Sequence, residues 1–217
     1  PKTLTQEGQE AVRNADLIVG AKRMVDAVRL SGQDVFYEYR SKEIAEYLIA
    51  HPEYTKVVIA LSGDVGFYSG AKKLAELLGP DTEMICGISS VVYFMSKIGL
   101  SWDDAKIVSA HGKTCNLISL IRTNRKVFAI LGTGDGVRKL AEKLTFYGMG
   151  DVILHVGENL SYDNEKILAK SARELVSYGG DPLSVVCAYN PQAEPELATH
   201  GIPDEEFIRG KAPMTKT

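Results

Sequence analysis

A short apolar run, Lys56-Val57-Val58-Ile59-Ala60-Leu61, passes into a turn with glycines at 63, 66 and 70. Apolar residues then recur at helical spacing: Ala71, Leu74, Ala75 and Leu78. β-Branched residues without polar alternation mark a strand buried on both faces. Strand, glycine-rich loop and helix in that order build a parallel α/β sheet, whose ligands sit beyond the carboxyl ends of its strands. Glycines there permit positive φ and close backbone approach, and Asp64 puts a carboxylate at the tip. No P-loop reads through the stretch, because Lys72 is followed by Lys73 where that motif has a hydroxyl. Gly-x-Gly-x-x-Gly is absent too. On the glycines alone, a tight turn with no ligand explains the stretch as well as a binding loop does.

The rest of the chain repeats the alternation. Helices are predicted over 3–14 (Thr3 and Gln6 as a capping box), 21–30, 41–51 (Ser41 as cap, Pro52 after the end), 91–98, 114–124, 137–147 and 171–178. Strands are predicted over 16–20, 34–39, 82–86, 106–110, 126–131, 151–156, 165–169 (an edge) and 183–189. The predicted fold class is α/β, with two α/β domains, 1–110 and 111–217, and a cleft between them. The first sheet is expected to be parallel and the second mixed. Gly87-Ile88-Ser89-Ser90 would form a second loop at a strand end, beside the first. Hydroxyls at a helix start are ordinarily caps, and that reading needs no ligand. Lys22 and Arg23 read as a solvated first turn.

Composition narrows the function. The chain has 217 residues, 45% hydrophobic and 24% charged, with a net charge of −3. That balance lacks the basic bias of a nucleic-acid surface. Cys86, Cys115 and Cys187 are odd in number and far apart, as in reduced cytosolic proteins. His51, His111, His155 and His200 have no metal-site spacing. No apolar run reaches the roughly 20 residues of a membrane helix, and no signal peptide is visible.

One rival motif stands out. Gly132-Thr133-Gly134-Asp135-Gly136 follows a strand and precedes a helix, as a dinucleotide loop does. Its spacing is Gly-x-Gly-x-Gly, and Glu158 lies just beyond the next strand, about where a ribose-binding acid stands. A non-catalytic nucleotide-binding regulator is the function that this loop would serve.

The run Leu61-Ser62-Gly63-Asp64-Val65-Gly66-Phe67-Tyr68-Ser69-Gly70 resembles the Ser-Gly-Asp-Pro-Gly-Phe-Tyr-Ser/Gly signature of the tetrapyrrole (precorrin) methylases, with Val65 in place of proline. Further runs match in order: Gly20-Ala21-Lys22-Arg23; Gly87-Ile88-Ser89-Ser90, with Cys86 in place of proline; His111-Gly112-Lys113; and Gly157-Glu158-Asn159-Leu160-Ser161-Tyr162. They resemble most the branch of that family, CbiE and the N-terminal half of CobL, that methylates C5 of a precorrin-7-type ring.

The resemblance implies a class III fold, S-adenosylmethionine as cofactor with S-adenosylhomocysteine as product, and a tetrapyrrole substrate rimmed by acetate and propionate groups. It implies a cytoplasmic homodimer acting on neither nucleic acid nor membrane, with a separate decarboxylating C15-methyltransferase as functional partner. Cofactor contacts fall on Ser62, Gly63, Asp64, Phe67, Ser89, Ser90, Leu131 and Gly132. His111 and Glu158 become candidate proton acceptors, and Lys113 a candidate for a substrate carboxylate. Pro1 resembles the last proline of the family's Gly-x-Gly-Pro-Gly-Asp-Pro loop, which implies a strand and a glycine loop ahead of it. A methylase of the same fold acting on another acceptor remains an alternative.

Overall fold

The computed structural model describes residues 3–110 and 115–194. Two sheets form. The first has β1 (Leu17–Gly20), β2 (Asp34–Tyr37) and β3 (Val57–Ala60) in the order β2-β1-β3, all parallel. β1 is wholly buried. Its side chains alternate between faces. Ile18 packs with Val12 of α1 (Gln6–Asn14) and Val25 of α2 (Lys22–Val28). Leu17 and Val19 pack with Ile44 of α3 (Ser41–Ala50) and Leu74 of α4 (Ala71–Leu78). Helices thus cover both faces, as a parallel sheet requires.

The second sheet is mixed, in the order β4-β5-β8-β6-β7. β4 (Lys106–Ser109) runs parallel to β5 (Lys126–Ile130); β8 (Ser184–Tyr189) lies antiparallel between β5 and β6 (Ile153–Glu158); β7 (Lys166–Ser171) is the antiparallel edge. One face packs on α6 (Leu117–Thr123) and α7 (Gly136–Phe146) through Ile121, Leu140 and Leu144. The other face is covered by α5 (Ser90–Lys97). Its Val91, Phe94 and Met95 pack on Phe128, Val185 and Cys187. Phe94 and Phe128 are fully buried. α5 precedes β4 in sequence, so it follows the first sheet in the chain and shields the second.

Several boundaries move for physical reasons. The cap of α1 is Thr5, which accepts from the Gly8 N–H, and not Thr3. Ser41 is the first residue of α3 and Arg40 its cap. The predicted helix 171–178 is a single 3-10 turn, Ala172–Leu175, closed by a Ser171/Glu174 capping box. The predicted strand 82–86 has no ladder. A strand needs a neighbour for its backbone groups, and a groove of about 500 Å3, lined by Leu4, Val58, Ala60, Met84 and Cys86 among others, separates it from β3. β4 hydrogen-bonds to the second sheet, although a boundary at Ala110 assigns it to the first. No helix among the described residues is long and apolar enough to cross a membrane.

Candidate active site

The candidate site is built from the loops that follow the carboxyl ends of β3 and β5, with the loop that opens α5. Two loops of the first half meet there. Asp64 is not a free acid at a tip. Its Oδ1 accepts from the Gly66 N–H at 2.8 Å and its Oδ2 from the Gly87 N–H at 3.0 Å, so one carboxylate binds the two loops together. Gly63 has φ +74°, and a Cβ on Gly87 would stand 2.1 Å from the Gly63 carbonyl oxygen. The glycines are therefore required by the contact between loops. Ser62 and Gly63 are exposed. No lysine or arginine occurs from Leu61 to Gly70.

Phe67 turns away from solvent. Its ring lies 6.3 Å from that of Phe128 and 5.0 Å from that of Tyr68, so the loop is anchored on the second sheet. Ser89 caps α5, accepting from the Val92 N–H at 3.4 Å, and is buried; Ser90 opens the helix. The cap reading of Ser89 is therefore observed. The Ser89 backbone lies close to Gly63, on which a Cβ would come within 3.9 Å of the Ser89 Cα.

The remaining sequence-predicted residues belong to the second sheet. Leu131 is buried and its N–H donates to the Ser184 carbonyl at 3.0 Å. Gly132, which follows it, is half-buried. A Cβ on Gly134 would stand 3.0 Å from the Gly180 carbonyl oxygen, so that glycine serves loop packing. Glu158 is buried and fully engaged: Oε1 accepts from the Asp181 N–H at 2.9 Å, Oε2 from the Tyr178 hydroxyl at 3.0 Å, with the Lys166 Nζ 3.9 Å away. Burial in the first place raises the Tyr178 hydroxyl above its ordinary pKa, keeping it a donor. A carboxylate spent on three partners braces a loop.

The run from Gly157 to Tyr162 is held by α5. A Cβ on Gly157 would meet the Phe94 ring at 2.6 Å, so glycine lets the helix lie against β6. The Tyr93 hydroxyl donates to Glu165 at 2.7 Å, the Ser161 N–H donates to the same carboxylate at 2.6 Å, and Lys97 stands 3.8 Å from it. Burial pushes Glu165 up, but these donors hold it below the usual carboxylate range. The sequence reading missed Tyr93 and Glu165; a Tyr at one helix face and a Glu 72 positions on carry no local signal. It also missed that Arg23 reaches Tyr162. Lys22 stays a first-turn residue paired with Asp26, but the Arg23 Nη1 donates to the Tyr162 hydroxyl at 2.9 Å. His111 and Lys113 lie outside the described residues.

The dinucleotide alternative fails on topology. Its acid-bearing strand should lie beside the glycine-loop strand and parallel to it. Here β8 lies between β5 and β6. Asp135, paired with Arg138 and Lys139, sits at the start of α7 where a pyrophosphate would go.

The family model for Tetrapyrrole (Corrin/Porphyrin) Methylases matches residues 1–176. The chain belongs to the tetrapyrrole methylases. A relative from Methanocaldococcus jannaschii, named a probable cobalt-precorrin-7 C(5)-methyltransferase, is 33% identical over 202 residues, covering 88% of this methylase and 93% of the relative. The crystal structure of the cobalt precorrin-4 methyltransferase CbiF superposes with a TM-score of 0.72 at 16% identity, covering 87% of this chain and 90% of that one. Uroporphyrin-III C-methyltransferase from Thermus thermophilus, complexed with S-adenosyl homocysteine, superposes with a TM-score of 0.68 at 18% identity, covering 87% of each chain. These structural likenesses show the α/β fold of the class III methyltransferases.

Proposed function

We propose that this methylase transfers the methyl group of S-adenosylmethionine to C5 of cobalt-precorrin-7 or its metal-free counterpart, in the assembly of the corrin ring. The observation that carries the reading is the pair of loops joined by Asp64. They present exposed backbone at Ser62 and Gly63 and no basic side chain. That surface suits an adenosine bearing a cationic sulfonium better than a nucleotide bearing a pyrophosphate, which needs donors and positive charge. The name of the M. jannaschii relative supports the ring position.

When bound, the cofactor supplies a methyl group that is already electrophilic. The chain's task is then to hold an electron-rich ring carbon in line with it, and such positioning supplies much of the barrier reduction. Ser62, Gly63, Asp64, Phe67, Ser89, Ser90, Leu131 and Gly132 form the proposed cofactor surface: the first six from the joined loops and α5, the last two from the loop after β5. Phe67 and Ser89 act through anchoring and capping. His111 is the proposed acceptor of any proton released from the ring, and Lys113 the proposed partner of a ring carboxylate. Glu158, with its oxygens engaged, braces its loop in this reading. The family resemblance supports a cytoplasmic homodimer working beside a separate decarboxylating C15-methyltransferase; sedimentation tests the dimer.

Thermal unfolding with S-adenosylhomocysteine, with NADP or with neither tests the cofactor. A ligand at 100 times its Kd adds about 2.7 kcal/mol to the native state, a rise of roughly 5–10 °C at this length. A rise with S-adenosylhomocysteine alone is expected, and a rise with NADP alone overturns the reading. Incubation with cobalt-precorrin-7 and S-adenosylmethionine should then add one methyl group to the ring by mass, at C5 by NMR.

A further inference from the structure

Arg23 occupies an unusual position. It lies in the first turn of α2, immediately beyond the carboxyl end of β1, and reaches a residue 139 positions away in the other half of the molecule. Its Nη1 donates to the Tyr162 hydroxyl at 2.9 Å, and its guanidinium carbon stands 5.5 Å from the centre of the same ring. Tyr162 is a firm seat. Its loop is tied by Ser161 and Tyr93 to Glu165, and by the Tyr162 N–H to the Asn159 carbonyl at 3.0 Å.

The neighbouring cations are neutralised: Lys22 and Arg29 by Asp26, Arg40 by Glu38 and Glu43. Arg23 has no carboxylate partner among the described residues and is exposed. A guanidinium carries five N–H donors in a fixed fork, of which the contact with Tyr162 uses one. Held on an aromatic ring just beyond the carboxyl end of a parallel strand, where such sheets bind their ligands, it has lost part of its rotamer freedom before any ligand arrives, which favours bidentate capture of a carboxylate.

The geometry points to Arg23 as a specificity-determining residue that, seated on Tyr162 of the other half of the molecule, takes a rim carboxylate of the tetrapyrrole. The inference rests on the methyltransferase reading above. It concerns the side of the substrate facing α2, and it separates the two members of the Lys22-Arg23 pair: Arg23 binds and Lys22 does not.

The test uses the full chain with Arg23→Ala, Arg23→Lys and Lys22→Ala. The KM for cobalt-precorrin-7 is read beside the Kd for S-adenosylhomocysteine, and binding of a polycarboxylate porphyrin is followed by its Soret band. Losing a charge-assisted hydrogen-bonding pair should raise the KM and the porphyrin Kd about tenfold or more in Arg23→Ala. Arg23→Lys should recover part of the loss. The Kd for S-adenosylhomocysteine should stay within about twofold. An unchanged KM and porphyrin Kd in Arg23→Ala overturns the proposal, as does a parallel loss of S-adenosylhomocysteine affinity and melting temperature, the mark of a purely structural latch. An equal effect of Lys22→Ala also overturns it. If the wild-type chain fails to methylate cobalt-precorrin-7, the ring assignment falls, and the porphyrin arm still decides whether Arg23 holds a carboxylate.

Discussion

Gly87→Ala tests the junction of the two loops most directly. The new Cβ would stand 2.1 Å from the Gly63 carbonyl oxygen, 3.1 Å from its carbonyl carbon and 3.5 Å from the Asp64 Cα. All three are backbone atoms, so no rotamer change relieves the clash. Carbon and carbonyl oxygen tolerate about 3.3 Å, which requires the loops to part by roughly 1 Å. That shift also breaks the 3.0 Å bond from the Gly87 N–H to Asp64. Overpacking costs about 1–3 kcal/mol and the bond to an ionised acceptor about 1.5–3 kcal/mol. Together these suggest roughly 2.5–6 kcal/mol, or roughly 5–24 °C in melting temperature at this length. Gly70→Ala is the control: it lies in the same stretch, has nothing within 4 Å of its Cβ and holds a φ of −75° that alanine adopts freely. It should change stability by less than about 0.5 kcal/mol. Scanning calorimetry and titration with S-adenosylhomocysteine measure both variants. If Gly87→Ala melts and binds like the wild type, the contact between loops is not what the glycines are for, and the account of the cofactor site falls with it.

Glu158→Gln should lower the melting temperature by several degrees and slow turnover modestly, because one oxygen still accepts from Asp181 or Tyr178; a loss of turnover beyond about a hundredfold at unchanged melting temperature would make it a proton acceptor after all. Burial raises the Cys187 thiol to about 11, so at pH 8 a thiol reagent should label exposed Cys86 quickly and Cys187 only on denaturation. Burial lowers His155 below its ordinary 6.5. The unfolded chain then binds the extra proton, so this contribution to stability is full above about pH 6.5 and is lost as pH falls below it. His155→Gln should flatten the fall of the urea midpoint below about pH 6.5, and an unchanged slope would refute the assignment.

The strands and helices with a clear period were legible in the sequence. The Lys56–Leu61 run became β3, the Ala71-to-Leu78 spacing became α4, and the second sheet is mixed as expected. Thr82–Cys86 was not legible as coil, because pattern reports side-chain faces and says nothing about whether a neighbouring backbone is in reach. The site was legible as loops and illegible as contacts. Gly63, Asp64 and Gly87 announced themselves by type, but no local pattern could say that Asp64 binds Gly87 or that Arg23 meets Tyr162. Glu158 was the instructive case: a carboxylate at a strand end reads as chemistry until its partners are visible.

α5 has a consequence for how this molecule can change. Its first turn borders one loop of the proposed cofactor surface, its Phe94 fills the core of the second sheet, and its Tyr93 steadies the run that ends at Tyr162. A cut at Ala110 would leave Phe128, Val185 and Cys187 bare on one fragment and an unsupported helix on the other. The halves are therefore not exchangeable parts. A substitution that tilts this helix disturbs the loop at Gly63 and the run ending at Tyr162 at once, so variation in substrate is expected to accumulate in the loops around α5 while the helix itself stays still.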